Sequence, residues 1–137
     1  MDKKKFLIRL IFLIFFIFLL NYLAMKFYWY SSIWYFDMPM HFLGGFWLGL
    51  ASLYFFPSKN FSFKAVLKVF LIVLFVGLSW EIFEIIIDRV ITGDLFNTLD
   101  TLSDICFDLS GGLFAFFYFA KRIVLISENM VRPVMEL

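Results

Sequence analysis

The stretch AVLKVFLIVLFVGLSWEIFEIII, residues 65–87, decides the fold. As a helix rising about 1.5 Å per residue it is long enough to cross the roughly 30 Å hydrocarbon core of a bilayer. Lys68, Glu81 and Glu84 are its charged residues. Two of these three are acids near the far end, where an ionisable group is costly and needs a reason.

Three further apolar runs lie on either side of it. One spans residues 6–25 and is interrupted by Arg9 and Asn21. A second spans residues 38–56 and ends at Pro57 and Ser58, and a third spans residues 101–120 and is closed by Lys121 and Arg122. The first run follows Lys3, Lys4 and Lys5, as a secretory signal would. It is too long for a signal h-region, however, and no small-x-small cleavage site follows it. The expectation is an all-α polytopic membrane protein. One four-helix transmembrane domain occupies residues 1–126, and a short cytoplasmic tail occupies residues 127–137.

Composition agrees with this. The chain of 137 residues is 64% hydrophobic and 17% charged, with 22 phenylalanines. A water-soluble domain is roughly 45–50% apolar and about 25% charged. A net charge of +1 without a basic-aromatic groove pattern gives no reason to expect nucleic acid as a partner. The single cysteine, Cys106, excludes an internal disulfide and any multi-cysteine zinc site, and reads as a small apolar residue.

Orientation follows from the basic residues. With four spans and the N-terminus inside, ten Lys and Arg fall on the inner side and two, Lys26 and Arg89, on the outer. That is the positive-inside pattern, and it puts both termini in the cytoplasm. Trp29, Tyr30, Trp34 and Tyr35 fill the first outer connection, as an interfacial aromatic belt would.

The acids run the other way. Asp37, Glu81, Glu84, Asp88, Asp94, Asp100, Asp104 and Asp108, eight of the eleven, fall on the outer side or in the outer half of a span, as does the one histidine, His41. Asp37 and His41 are four residues apart. Glu81 and Glu84 are three apart, and Asp100, Asp104 and Asp108 are four and eight apart. Such spacings share a helix face. Three helices therefore each carry a polar stripe at similar depth. Gly45, Gly49, Gly77 and Gly112 continue these stripes inward. Small residues let membrane helices approach closely, so helices two, three and four should pack at mid-membrane below an acidic pocket, with helix one peripheral.

Clustered carboxylates cannot all ionise without compensation; they share protons or hold a cation. Oxygen donors with at most one imidazole suit Mg, Ca or Mn, and Zn fits His41 with two carboxylates. The candidate metal ligands are Glu81, Glu84, Asp104, Asp108 and Asp100. His41 is the candidate general acid or base, oriented by Asp37. The competing structural reading is a proton-sharing network that locks the helices. A second structural reading makes Asp37 and Asp100 ordinary helix caps at the interface, and solvated positions suit Asp88, Asp94 and Asp100 taken singly.

The segments Asp37-Met-Pro-Met-His41-Phe42-Leu-Gly-Gly45, Trp80-Glu81-Ile-Phe-Glu84 and Asp100-Thr-Leu-Ser-Asp104-Ile-Cys-Phe-Asp108-Leu-Ser-Gly111-Gly112 resemble YjdF-type membrane proteins and the broader VanZ-like group. The resemblance covers about residues 36–115. Glu84 stands where the VanZ-like group usually has glutamine, and Asp108 where it usually has asparagine. Both departures add negative charge and bring the chain nearer the YjdF type. The resemblance implies a small polytopic protein of a bacterial-type plasma membrane and supplies no reaction.

The leading functional expectations are two. One is metal-dependent hydrolysis or transfer on a lipid-linked phosphate at the outer leaflet. The other is non-enzymatic capture of a cation or a cationic small-molecule ligand of the cell envelope. Transport is less favoured, because the polar stripe stops near Asp108. A structural role would read Gly45-x-x-x-Gly49 as a packing motif.

Overall fold

A computed structural model of the chain describes residues 3–57, 62–93 and 97–135. Every regular element among them is helical: α1 (Lys3–Lys26), α2 (Trp29–Ser32), α3 (Asp37–Phe55), α4 (Phe63–Ile87) and α5 (Thr98–Met135). A π-helical turn, Asp88–Thr92, prolongs α4.

Among the described residues three helical segments are long and apolar enough to cross a membrane: Lys3–Lys26, Phe63–Ile91 and Thr98–Lys121. The 19-residue α3 is not among them. Its polar first turns and its glycines, Gly44, Gly45 and Gly49, dilute its hydropathy. The distribution of side chains is the reverse of that in a water-soluble protein. Phe12, Phe15 and Phe75 are 72%, 66% and 73% exposed on the outside, while His41, Glu81, Asp104 and Asp108 are buried. Apolar rings outward and ionisable groups inward suit a lipid surroundings. The protein is a multi-pass, all-helical membrane protein.

The helix starts have local causes. Ser62 Oγ accepts a hydrogen bond from the Ala65 amide at 3.3 Å, and Asn97 Oδ1 accepts one from the Leu99 amide at 3.2 Å. Both caps satisfy amides that lack an intrahelical partner, so α4 and α5 begin two or three residues before the apolar runs do. The last helix also outruns its apolar stretch at its other end. The apolar span stops at Ala120 in the sequence reading, with a partly helical tail beyond it; the backbone stays helical to Met135. Lys121 and Arg122 end the apolar stretch, yet both types are good helix formers, so loss of apolarity does not end the helix.

α3 lies at the centre and packs most closely on α5. A methyl group on Gly45 would collide with the Asp108 carbonyl oxygen, and one on Gly111 with the Phe42 carbonyl oxygen. The two backbones therefore touch, which only glycine allows. Toward the other end Leu53, Val69, Val73 and Phe116 join α3, α4 and α5. α1 lies against α3 through Phe6 and Leu10, which pack on Leu50 and Ala51. The Trp47 indole N–H donates to the Leu10 carbonyl at 2.9 Å. In the connection from α1 to α3, Tyr28 takes the left-handed conformation at φ 57°. The turn brings the rings of Trp29 and Tyr30 onto Phe36. The Tyr30 hydroxyl donates to Asn21 Oδ1 at 2.6 Å and ties this connection back to α1.

Candidate metal centre at the head of the bundle

α3 and α5 begin, and α4 ends, at the same end of the bundle, and their polar stripes converge there. His41 is the hub. Its Nδ1 stands 3.5 Å from Asp108 Oδ2. Its Nε2 stands 3.7 Å from Asp37 Oδ1 and 3.9 Å from Glu81 Oε1. His41, Glu81, Asp104 and Asp108 are buried; Asp37 and Glu84 are half-buried.

Two overlapping groups have the reach to hold an ion: Asp37, His41 and Asp104, and His41, Glu81 and Glu84. Within each, one donor atom per residue lies within 4.8 Å of the others. Opposed oxygens on a calcium ion, each at about 2.3–2.6 Å, stand about 5 Å apart. The donor spacing therefore fits an oxygen-rich cation site. Glu81 Oε1 is buried and has no hydrogen-bond partner, although the Thr101 hydroxyl reaches the same carboxylate. A buried acceptor left without a hydrogen bond costs about 1–3 kcal/mol.

The glycines explain how Asp108 reaches the centre. A methyl on Gly77 would stand 2.7 Å from Asp108 Oδ2, and one on Gly44 would stand 3.9 Å from Oδ1. Asp108 thus sits in a notch that Gly44, Gly45 and Gly77 leave open. From there its carboxylate faces Nδ1, the nitrogen away from Asp37 and Glu81. A carboxylate on one ring nitrogen holds the ring and directs the other nitrogen, here Nε2, toward a ligand. Sequence spacing assigned that orienting task to Asp37, but Asp37 lies on the Nε2 side. Asp100 is exposed and belongs to neither donor group. Asp94 lies outside the described residues.

Beside the centre is a half-open cavity of about 400 Å3. Asp37, His41 and Asp108 form its polar end, and Ile14, Ile17, Leu48 and Val76 are among its apolar walls. Tyr30 also lines it, and its phenol is pushed up to about 12, first by burial and then by the charges of Asp37 and Glu84. Asn21, Tyr30 and Thr101 were not singled out from sequence as site residues. Thr101 carried a signal, since it precedes Asp104 by three residues and shares its face. Asn21 carried one too, as a lone amide in an apolar span.

The chain belongs to the family described as "Predicted membrane protein (DUF2238)", whose profile matches residues 3–123. No curated protein and no solved structure matches it.

Proposed function

We propose, for this member of the family, that the cluster around His41 binds a divalent cation and uses it on a lipid-linked phosphate at the outer leaflet. In this reading α3 is a fourth span and both termini are cytoplasmic, as the ten-to-two bias of basic residues favours. The observation that carries the proposal is Glu81 Oε1, a buried carboxylate oxygen without a hydrogen-bond partner, 3.9 Å from His41 Nε2. The motifs that resemble YjdF-type proteins supply the same residues, Asp37, His41, Glu81, Glu84, Asp104 and Asp108, which supports a shared site.

Glu81, Glu84, Asp104 and Asp37 are the acidic ligands in this account, and Asp108 positions His41. A bound cation would polarise a phosphoryl oxygen or activate a water. His41 Nε2 either completes the ligand set or exchanges a proton with the water or leaving group. The purified protein should release phosphate from some member of a panel of glycerolipid and polyprenyl phosphates when Mg, Mn, Ca or Zn is supplied. Chelation or Glu81→Gln should stop it. No release from any member, with metal bound, would sink the enzymatic half of the proposal. For orientation, in a Cys106→Ser background, Gly93→Cys should react with an impermeant thiol reagent on intact cells and Lys121→Cys only after permeabilisation. The converse would overturn the topology.

A specific observation favours a second reading, binding of an amine without turnover. The cavity lining combines Asp37 and Asp108 with Trp47, Trp80 and Tyr30 and includes no Lys or Arg among the described residues. Aromatic faces and carboxylates together suit an organic cation. Saturable binding of a lipid amine by metal-free protein would favour this alternative.

A further inference from the structure

We infer that the 400 Å3 cavity holds one hydrocarbon chain of a membrane lipid whose phosphate head lies at His41, and that this lipid enters sideways from the bilayer. The inference rests on the cation-site reading for the headgroup and on separate observations for the chain.

The cavity lies within the roughly 300–1,000 Å3 usual for ligand pockets. It is amphipathic along its length, with carboxylates and imidazole at one end and Ile14, Ile17, Leu48 and Val76 along its sides. A free inorganic ion or a small polar solute would leave those walls without contacts. A lipid matches both ends at once.

The cavity is also held open in advance. Trp47, one of its walls, is fixed by the hydrogen bond from its indole N–H to the Leu10 carbonyl, 2.9 Å. Tyr30, another wall, is fixed to Asn21 at 2.6 Å. Neither side chain can swing inward without giving up its partner, which favours the open form.

The route follows from helix packing. α1 and α4 both line the cavity and each packs on α3, and among the described residues neither packs as extensively on the other. The seam between them faces the hydrocarbon of the bilayer, where lipid chains already are. α1, which carries no acid of the cluster, thereby becomes one jaw of the chain site.

The test uses a phosphatidic acid carrying a diazirine midway along one chain, added to the full-length protein in micelles. After photolysis, cross-links are mapped by mass spectrometry, and the metal content of each sample is measured separately. Cross-links should concentrate on Ile14, Ile17 and Val76. Ile17→Trp should lower that yield at least tenfold, with metal content unchanged. Phe15→Trp, on the outward face of α1 at a position 66% exposed, should leave the yield unchanged. Equal labelling of outward residues such as Phe12 and Phe75, insensitive to Ile17→Trp, would overturn the chain site whatever the metal content. Cavity labelling in a protein that binds no metal would leave the chain site standing and remove the cation reading instead.

Discussion

Two adjacent glycines of α3 should respond oppositely to the same substitution. Gly44→Ala adds a methyl group whose nearest neighbour is Asp108 Oδ1 at 3.9 Å, an ordinary contact. Replacing glycine inside a helix by alanine gains about 0.5–1 kcal/mol, and Gly44→Ala should realise most of that. Gly45→Ala carries the same gain but drives the methyl into the Asp108 carbonyl, which is backbone and cannot rotate away. Relief requires α3 and α5 to separate, which also loosens Gly49 against Gly112 one turn further on. Overpacking costs about 1–3 kcal/mol, and the upper end applies where only whole helices can move. The propensity gain is common to both variants, so Gly45→Ala should be the less stable by about 3 kcal/mol. That difference is roughly a hundredfold in the folded-to-unfolded ratio. Reversible unfolding in mixed micelles of rising sodium dodecyl sulfate, followed by tryptophan fluorescence, measures it. Equal stability of the two variants would mean that α3 and α5 do not meet at Gly45, and the argument placing Asp108 beside His41 would fail with it.

Other expectations follow from the same geometry. Glu81→Gln should change sign with metal: in chelator it stabilises, by removing a charge from crowded carboxylates, and in millimolar divalent cation it destabilises relative to parent, each by about 1–3 kcal/mol. A change of the same sign in both media would argue against a cation at Glu81. Trp47→Phe removes the donor to the Leu10 carbonyl and should cost about 0.5–1.5 kcal/mol in the same unfolding assay; no loss would mean that α1 is not held there. Tyr30 favours its neutral form in the folded state, since its pKa rises from 10.0 to about 12. Its stabilising contribution is therefore complete below pH 10 and lost as pH rises through about 12. Tyrosinate absorbance of the parent minus that of Tyr30→Phe should stay flat to pH 11, and an inflection near 10 would place Tyr30 in open solvent.

The helices were legible because a bilayer imposes a length and a polarity that few other environments demand. The apolar runs begin within three residues of the observed starts of α1, α3, α4 and α5. What they missed at the helix starts came from caps outside the apolar runs, Ser62 and Asn97, and the extent of the helical tail beyond Ala120 is not marked by hydrophobicity. The convergence of His41 with Glu81 and Asp108 could be read from spacings of three and four residues, together with glycines at matching depth. The division of labour around the imidazole could not. Whether Asp37 or Asp108 faces Nδ1 depends on the rotamer of the imidazole as well as on the packing of Gly45 against the Asp108 backbone, and no spacing encodes either. The cavity was also hidden. Ile14 and Ile17 are unremarkable in an apolar span, and their role depends on α1 and α4 packing on α3 more than on each other.

The central claim is that the carboxylates around His41 are there to hold a cation. The most direct measurement is the metal content, by plasma mass spectrometry, of protein purified in metal-supplemented buffer and desalted without chelator. It is made beside a Glu81→Gln/Asp104→Asn double variant. The account predicts near-stoichiometric magnesium, calcium, manganese or zinc in the parent and its loss in the variant. A parent that carries no metal above the detergent blank, with a variant as stable or more so, would contradict it and leave the cluster as a proton-sharing lock between helices.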